Sequence, residues 1–239
     1  MKKITLITAT MNSEKVISNL AESVIKQSDN NFNWIIQDGL SNDKTLEILK
    51  NYKLPNLTIY SEKDSGIYDA FNKALLNCDT EYYLVIGSDD TLEPDSIHNF
   101  NNYIKFNKPD IVASRWRVGD KIYRPYKNLG WLKGMNGLSS SHSVATLIKK
   151  DLHKIFGYYS LKFPICADAL FIKTCIYNGS NILYADFISG TFTVGGFSSK
   201  NKFKTLKEQY EIQKLTEKNI LLQNLIYRLK LIKHRYLVN

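Results

Sequence analysis

EYYLVIGSDD, residues 81–90, begins as an apolar run and ends in two acids. EYYLVIG (81–87) reads as a short strand buried on both faces, the pattern of a strand inside a parallel sheet. Gly87 breaks the run, and Ser88, Asp89 and Asp90 follow. Adjacent like charges cost energy unless solvent, a cation or a protonation change relieves them. The segment therefore reads as a buried strand that delivers a charged pair to a sheet edge.

Working outward, the same plan repeats. KITLITAT (3–10), NWIIQDG (33–39) and LTIYSEKD (57–64) read as strands. Between them lie a helix opened by Ser13, with Val16, Ile17, Leu20, Val24 and Ile25 at helical spacing, and a short helix over 45–52. IYDAFNKALLN (67–77) is a helix with Ala70, Phe71, Ala74 and Leu75 inward. Strands alternating with helices predict an α/β fold with a mostly parallel central sheet covered on both faces, a single Rossmann-like domain. Further on, 110–118 and 121–126 flank Gly119-Asp120 and predict a hairpin. Residues 129–142 read as loop, 143–150 as a strand or buried segment, 167–177 as a helix, 181–187 as a strand and 194–199 as a loop. A long helical stretch over 202–238 follows. The expected organisation is one domain over 1–199, with halves at about 1–95 and 96–199, and a helical tail over 200–239.

The 239 residues are 44% apolar, enough for a sizeable core. Of the net charge of +9, the tail from Lys200 carries +7, ten Lys/Arg against three Asp/Glu. The remainder holds 22 basic and 20 acidic residues, so the body is nearly neutral. With no nucleic-acid motif, a nucleic-acid partner is not expected. Cys78, Cys166 and Cys175 have neither disulfide-framework nor zinc-site spacing, which suits a reducing cytosol. No stretch approaches the length of a secretory h-region or a membrane span, so the expected location is cytoplasmic, soluble or peripheral.

Ligands of open parallel sheets bind beyond the carboxyl ends of the strands. Those ends carry Thr8 to Asn12, Asp38, Asp64 and Ser88-Asp89-Asp90. Gathered carboxylates need a cation, and Mg²⁺ or Mn²⁺ prefers such hard oxygen ligands. Phosphate oxygens completing the metal's shell would make the substrate a nucleotide diphosphate. Neither GxGxxG nor GxxxxGK[ST] follows the first strand, which argues against a dehydrogenase or a P-loop kinase.

Taken together, QDGLSNDKT (37–45), SEKDSGIYDAFNKAL (61–75), GSDD (87–90), SHSVATLIKKDL (141–152), ADALFI (167–172) and GGFSS (195–199) resemble glycosyltransferase family 2, of the bacterial surface-polysaccharide type. The resemblance implies a glycosyltransferase A-type fold, a nucleotide-sugar donor with UDP favoured, and inversion at the anomeric carbon. It implies that Asp38 accepts from the base, and that Thr8, Ala9, Thr10 and Asn12 line base and ribose. Asp64 and Lys73 would sit by the nucleotide and its diphosphate, Ser88 and Asp89 beside the ribose or metal, and Asp90 on the metal with Asp89 supporting. Asp168 would be the catalytic base, and His142 would lie near the donor phosphates or acceptor. Three positions depart from the pattern: Met11 for a common Tyr, Phe71 for a common Met, and Ala169-Leu170 where an aromatic residue and an acid are common.

A general base must take the acceptor proton, a metal on Asp90 must stabilise the leaving diphosphate, and Lys73 would add to that. Trp116 and Trp131 are candidates for stacking on sugar rings, Gly195-Gly196 for a lid, and Asp186 for a rival base; Asp43 and Asp95 read as turn or cap residues. In the tail, Leu222, Leu225, Ile226, Leu229, Ile232 and Tyr236 share a helical face with Arg228, Lys230 and Arg235 beside it. Such a basic amphipathic helix suits an anionic inner-membrane surface, where lipid-linked saccharide acceptors reside. Two other readings remain: a nucleotidyltransferase making the activated sugar, whose Gly-rich loop TATMNSEK lacks, and a non-catalytic nucleotide-sugar-binding partner protein.

Overall fold

The computed structural model describes residues 2–139, 142–195 and 201–236. Its strands are β1 (Ile4–Thr10), β2 (Phe32–Asp38), β3 (Leu57–Ser61), β4 (Tyr82–Val85), β5 (Thr91–Leu92), β6 (Ile111–Val118), β7 (Lys121–Tyr123), β8 (Thr146–Lys149) and β9 (Ile182–Thr191). They form one sheet in the order β3-β2-β1-β4-β8-β6-β9-β5, with β7 paired to β6. β1, β2, β3, β4, β6 and β9 run one way, and β5, β7 and β8 the other. The mostly parallel α/β expectation is what the chain adopts.

Alternation within the strands feeds two cores, because successive side chains point to opposite faces. Ile4, Leu6, Trp34, Ile36, Tyr82 and Leu84 face α1 (Ile17–Ile25) and α4 (Ser96–Asn107). Ile7, Ile35, Tyr83 and Val85 face α3 (Ile67–Leu76) and α7 (Ala167–Tyr177). A short helix α2 (Thr45–Asn51) joins β2 to β3. Register then sets the upper edge: Thr10 stands beside Asp38, and Asp38 beside Ser61.

Several expectations change. Ser13 does not cap α1 through its side chain. Its carbonyl accepts from Val16 and Ile17, and α1 begins only at Ile17. The segment read as loop over 129–142 contains α5 (Gly130–Lys133) and a 3₁₀ turn, Gly134–Gly137. Gly137 tolerates no side chain there, since a Cβ would lie 2.3 Å from the Leu129 carbonyl oxygen. The 57–64 strand stops at Ser61, the 143–150 segment is a 3₁₀ turn before β8, and the 181–187 strand runs on to Thr191. Helix α4 went unread because its asparagines are weak helix formers. Burial of Ile97, Phe100 and Ile104 on one face overrides that. The short α6 (Leu152–Phe156) and β5 were likewise unread.

The tail is two helices, α8 (Lys202–Thr216) and α9 (Ile220–Tyr236). The break has a cause. Glu217 turns extended, and its carboxylate meets buried Lys173 of α7 at 2.5 Å and the Tyr177 hydroxyl at 2.7 Å. Asn219 Oδ1 then accepts from the Leu222 amide at 3.0 Å and starts α9. The expected amphipathic face also divides. Leu222 and Ile226 are half-buried, whereas Leu225, Leu229 and Ile232 are exposed together with Leu221. The Arg235 and Tyr236 side chains lie outside the described residues.

Candidate active site

A cavity of about 450 Å³ opens at the carboxyl ends of the parallel strands. Asp89, Asp90, His142 and Asp168 all line it. These residues come from three separate stretches of chain, and the fold brings them to one cavity.

Asp89 and Asp90 follow β4 and sit over Gly87. A Cβ on Gly87 would lie 2.9 Å from both Asp89 Oδ1 and Asp90 Oδ2, so glycine leaves room for the two carboxylates. Asp90 is only 3% exposed. Its Oδ1 accepts from the Thr193 amide at 2.9 Å and its Oδ2 from the Gly87 amide at 3.3 Å. Burial pushes its carboxyl up to about 7, with the Asp89 charge adding and the two amides opposing. A cation beside this pair would relieve both the desolvation and the repulsion. Among the described residues no three His, Cys, Asp or Glu side chains converge on a metal site. Two hard carboxylate oxygens with most positions left for water and phosphate nevertheless fit Mg²⁺ or Mn²⁺, which commonly bind that way.

Asp168 occupies the first turn of α7, where the helix dipole favours an anion. Its Oδ1 accepts from the Ala169 amide at 2.8 Å and from the Tyr68 hydroxyl at 2.6 Å. Burial pushes its carboxyl above the usual range, and the Tyr68 hydrogen bond pulls it back. Tyr68, on α3, escaped the sequence reading because it looks like one more apolar contact of an amphipathic helix. Replacing it with phenylalanine removes a donor that favours the ionised form. The acid limb of a reaction that uses Asp168 as base then moves to higher pH in Tyr68→Phe, measured as rate against pH.

His142 stacks on Phe192, centroids 3.6 Å apart, and meets Trp116 edge-on at 5.9 Å. Burial drives its pKa down to about 4, so at neutral pH it brings a neutral ring to the cavity. Lys133 on α5 is the one Lys or Arg among the described lining residues, and it also lies 3.6 Å over the Tyr126 ring. It sits in the GWLKGMNG stretch read as loop, and nothing in its spacing marked it.

The remaining candidates gather next to this cavity, at the ends of β1 to β3. Asp38 is fully buried. Its carboxylate accepts from the Ser41 amide at 3.0 Å, the Ser41 hydroxyl at 2.5 Å and the Ser61 hydroxyl at 2.7 Å. Asn12 takes a left-handed φ of 52°, donates its amide to Ser41 Oγ at 2.8 Å and accepts from the Asn42 amide at 2.9 Å. Asp64 Oδ1 accepts from the Gly66 amide at 2.9 Å, and its Oδ2 lies 2.6 Å from the Cβ position of Gly39. Thr8 accepts from Trp34 Nε1 at 3.2 Å, and Ala9 is half-buried beside it. Thr10 Oγ1 is buried at this edge with no partner. Ser13 donates to Ser88 Oγ at 3.2 Å, joining this edge to the acids. Met11 is exposed there. An orphaned hydroxyl beside a rigid, hydrogen-bonded carboxylate turn suits a polar ligand.

The other residues singled out make the following contacts. Lys73 donates to the Lys63 carbonyl at 2.6 Å and lies 3.8 Å from Glu62 and 3.7 Å from Asp69, away from the cavity lining. Trp116 is buried and stacked on Tyr123, and Trp131 does not line the cavity. Phe71 packs edge-on against Tyr68. Asp186 pairs with Arg115 at 3.2 Å on β9, outside the cavity. Asp43 accepts from the Glu14 and Thr45 amides, and Asp95 from Ser28 Oγ, as turn and anchoring residues. Gly195 has φ 129°, while Gly196 and 197–199 lie outside the described residues.

Comparison with known proteins gives the family and the fold. A glycosyltransferase described as acting in PGL/p-HBAD biosynthesis in Mycobacterium bovis is 29% identical over 183 residues, covering 72% of this chain and 69% of that protein. Among solved structures, residues 1–349 of TarS from S. aureus in complex with UDP-GlcNAc superpose with a TM-score of 0.72 at 19% identity, covering 94% of this chain and 70% of that one. A mannosyltransferase of Pyrobaculum calidifontis in complex with GDP-Man and Mn²⁺ superposes with a TM-score of 0.70 at 15% identity, covering 88% of this chain and 62% of that one. The architecture is the glycosyltransferase A-type fold of these structures. The description that matches the sequence itself, over residues 5–184, is Glycosyl transferase family 2, and the chain belongs to that family.

Proposed function

We propose that the chain transfers a sugar, with inversion, from a nucleotide-diphosphate sugar to the hydroxyl of a glycan or lipid-linked saccharide during surface-polysaccharide assembly. The observation that carries this is a cavity lined by Asp168 together with Asp89 and Asp90. UDP is the favoured nucleotide: the TarS structure holds UDP-GlcNAc, while the mannosyltransferase, which superposes with a lower TM-score, holds GDP-Man.

In this reading the β1–β3 edge holds the nucleotide through Thr8, Ala9, Thr10, Asn12, Asp38 and Asp64. Asp90, with Asp89, holds Mg²⁺ or Mn²⁺, which when bound neutralises charge developing on the leaving diphosphate. Lys133 is better placed than Lys73 to add a positive charge, since it lines the cavity and Lys73 does not. Asp168 accepts the acceptor hydroxyl proton as the new O–C1 bond forms and the C1–O bond to the diphosphate breaks. Attack opposite the leaving group inverts C1. Tyr68 keeps the Asp168 carboxylate oriented and ionised. The test is a set of nucleotide-sugars screened by thermal unfolding with and without Mn²⁺. A donor that binds only the folded state raises the midpoint. A rise that needs Mn²⁺ supports the reading, and no rise with any nucleotide-sugar contradicts it.

The same reading places the protein on the cytoplasmic face of a membrane. No helix among the described residues is long and apolar enough to cross one. Leu221, Leu225, Leu229 and Ile232 instead form an exposed stripe on α9, with Arg228 and Lys233 exposed beside it. Apolar side chains flanked by cations suit an anionic lipid surface. The double variant Leu225→Ser with Leu229→Ser is expected to lose about 10²-fold or more in affinity for phosphatidylglycerol vesicles, given ~1.5–3 kcal/mol per buried leucine. Unchanged co-sedimentation would remove α9 as the contact.

A further inference from the structure

Helix α8 lies beyond residues 5–184, the span of the family match, yet it is built into the cavity. Thr205, Gln209, Ile212 and Gln213 present one helical face to it. Next to them, Glu208 is only 8% exposed. Its Oε2 accepts from the backbone amides of Ile165 at 2.9 Å and Cys166 at 3.0 Å. These residues lead directly into α7, which has no side-chain cap of its own at Cys166. A carboxylate placed across free amides at a helix start satisfies donors that the helix cannot, and it suits the dipole. Ile212 packs on the same two residues. Gln213 ties α8 to α5 through the carbonyls of Gly130 and Trp131, and to Lys173 of α7.

We propose that Glu208 is a positioning residue for Asp168: from α8 it fixes the start of α7, and so makes the first tail helix a working wall of the active site. This rests on the reading of Asp168 as the base. Tyr68 from α3 is hydrogen-bonded to Asp168, and Cys166 at the head of α7, Tyr159 before it and Glu208 from α8 are close enough to act on it electrostatically. Of these, Glu208 is the one carboxylate, and its charge raises the Asp168 carboxyl.

Two variants of the full chain test this. Glu208→Gln keeps an oxygen acceptor and removes the charge, and Glu208→Ala removes both. Amide hydrogen exchange at Ile165 and Cys166 is expected to quicken about tenfold or more in Glu208→Ala, and less in Glu208→Gln. The carboxyl titration of Asp168, followed by ¹³C NMR, is expected to move to lower pH in Glu208→Gln, a shift that a purely structural contact would not produce. Turnover of the UDP-sugar used by the natural chain should fall about tenfold in kcat for Glu208→Ala with KM little changed. Normal exchange, titration and turnover in both variants would overturn the proposal and leave the glycosyltransferase reading standing. Shifted exchange and titration in a chain that turns over no nucleotide-sugar would have the opposite meaning: Glu208 holds α7, and the functional reading fails.

Discussion

Asp90→Ala is expected to abolish Mn²⁺-dependent donor binding and to lower transfer by about 10³-fold, since a metal supplies several kcal/mol of charge stabilisation and each 1.4 kcal/mol is a decade. The two acids are not equivalent. Asp90 is buried and held by two amides, so its carboxylate is aimed before any ligand arrives. Asp89 shares the space over Gly87 but lacks that support, and Asp89→Ala should cost about tenfold. Removing the Asp90 side chain also leaves the Thr193 and Gly87 amides without their acceptor, which destabilises the fold. Asp90→Asn supplies the control, because its amide oxygen can still accept a hydrogen bond while the charge is gone. Isothermal titration of UDP with Mn²⁺ against each variant decides the order. If Asp89→Ala alone abolished the binding, the assignment of the two acids would be reversed.

Asp168→Asn is expected to lose 10²–10⁴-fold in transfer while folding normally and binding donor, about the range a positioned general base supplies. Stability should hold or rise. The Asp168 carboxyl is raised by burial, so the native state binds a proton more tightly than the unfolded chain. Such a group lowers stability as pH climbs from the unfolded value through the folded one, and asparagine abolishes that loss. The side-chain oxygen of the introduced asparagine can still accept from Tyr68 and from the Ala169 amide. For the natural chain the same shift sets the sign of the rate profile: activity falls as pH drops through the raised value, above the ordinary aspartate figure of about 3.9. Thermal unfolding from about pH 4 upward, beside single-turnover rates, separates the two effects. Near-normal turnover by Asp168→Asn would remove it as the base.

The half of the chain up to Asp90 was legible because its strands are short apolar runs and its helices are periodic. Register then followed from pairing, which set Thr10, Asp38 and Ser61 side by side at one edge. Nothing in the spacing, however, could show that Asp38 already commits its carboxylate to Ser41 and Ser61, or that Lys73 is occupied at the β3–α3 junction. Those are facts of tertiary contact. Lys133 was hidden in a glycine-rich stretch whose carbonyls are gripped by Gln213 of α8 and Gln223 of α9. Glu208 was hidden for a different reason. It is one acid among many polar residues of a basic helix, and its partners lie about forty residues earlier in the chain. Tail composition suggested a membrane helix, whereas contacts divide the work: α8 faces the cavity, and the outer stripe of α9 is left exposed.

Metal-dependent transfer with inversion is the reaction proposed for this cavity, and ¹H NMR of the product reads it without intermediaries. The reaction is run with the α-linked UDP-sugar that raises the unfolding midpoint, once with Mn²⁺ and once with EDTA. UDP release and a β-configured product are expected with Mn²⁺, and neither with EDTA. An α-configured product, or equal rates with EDTA, would refute the assignment.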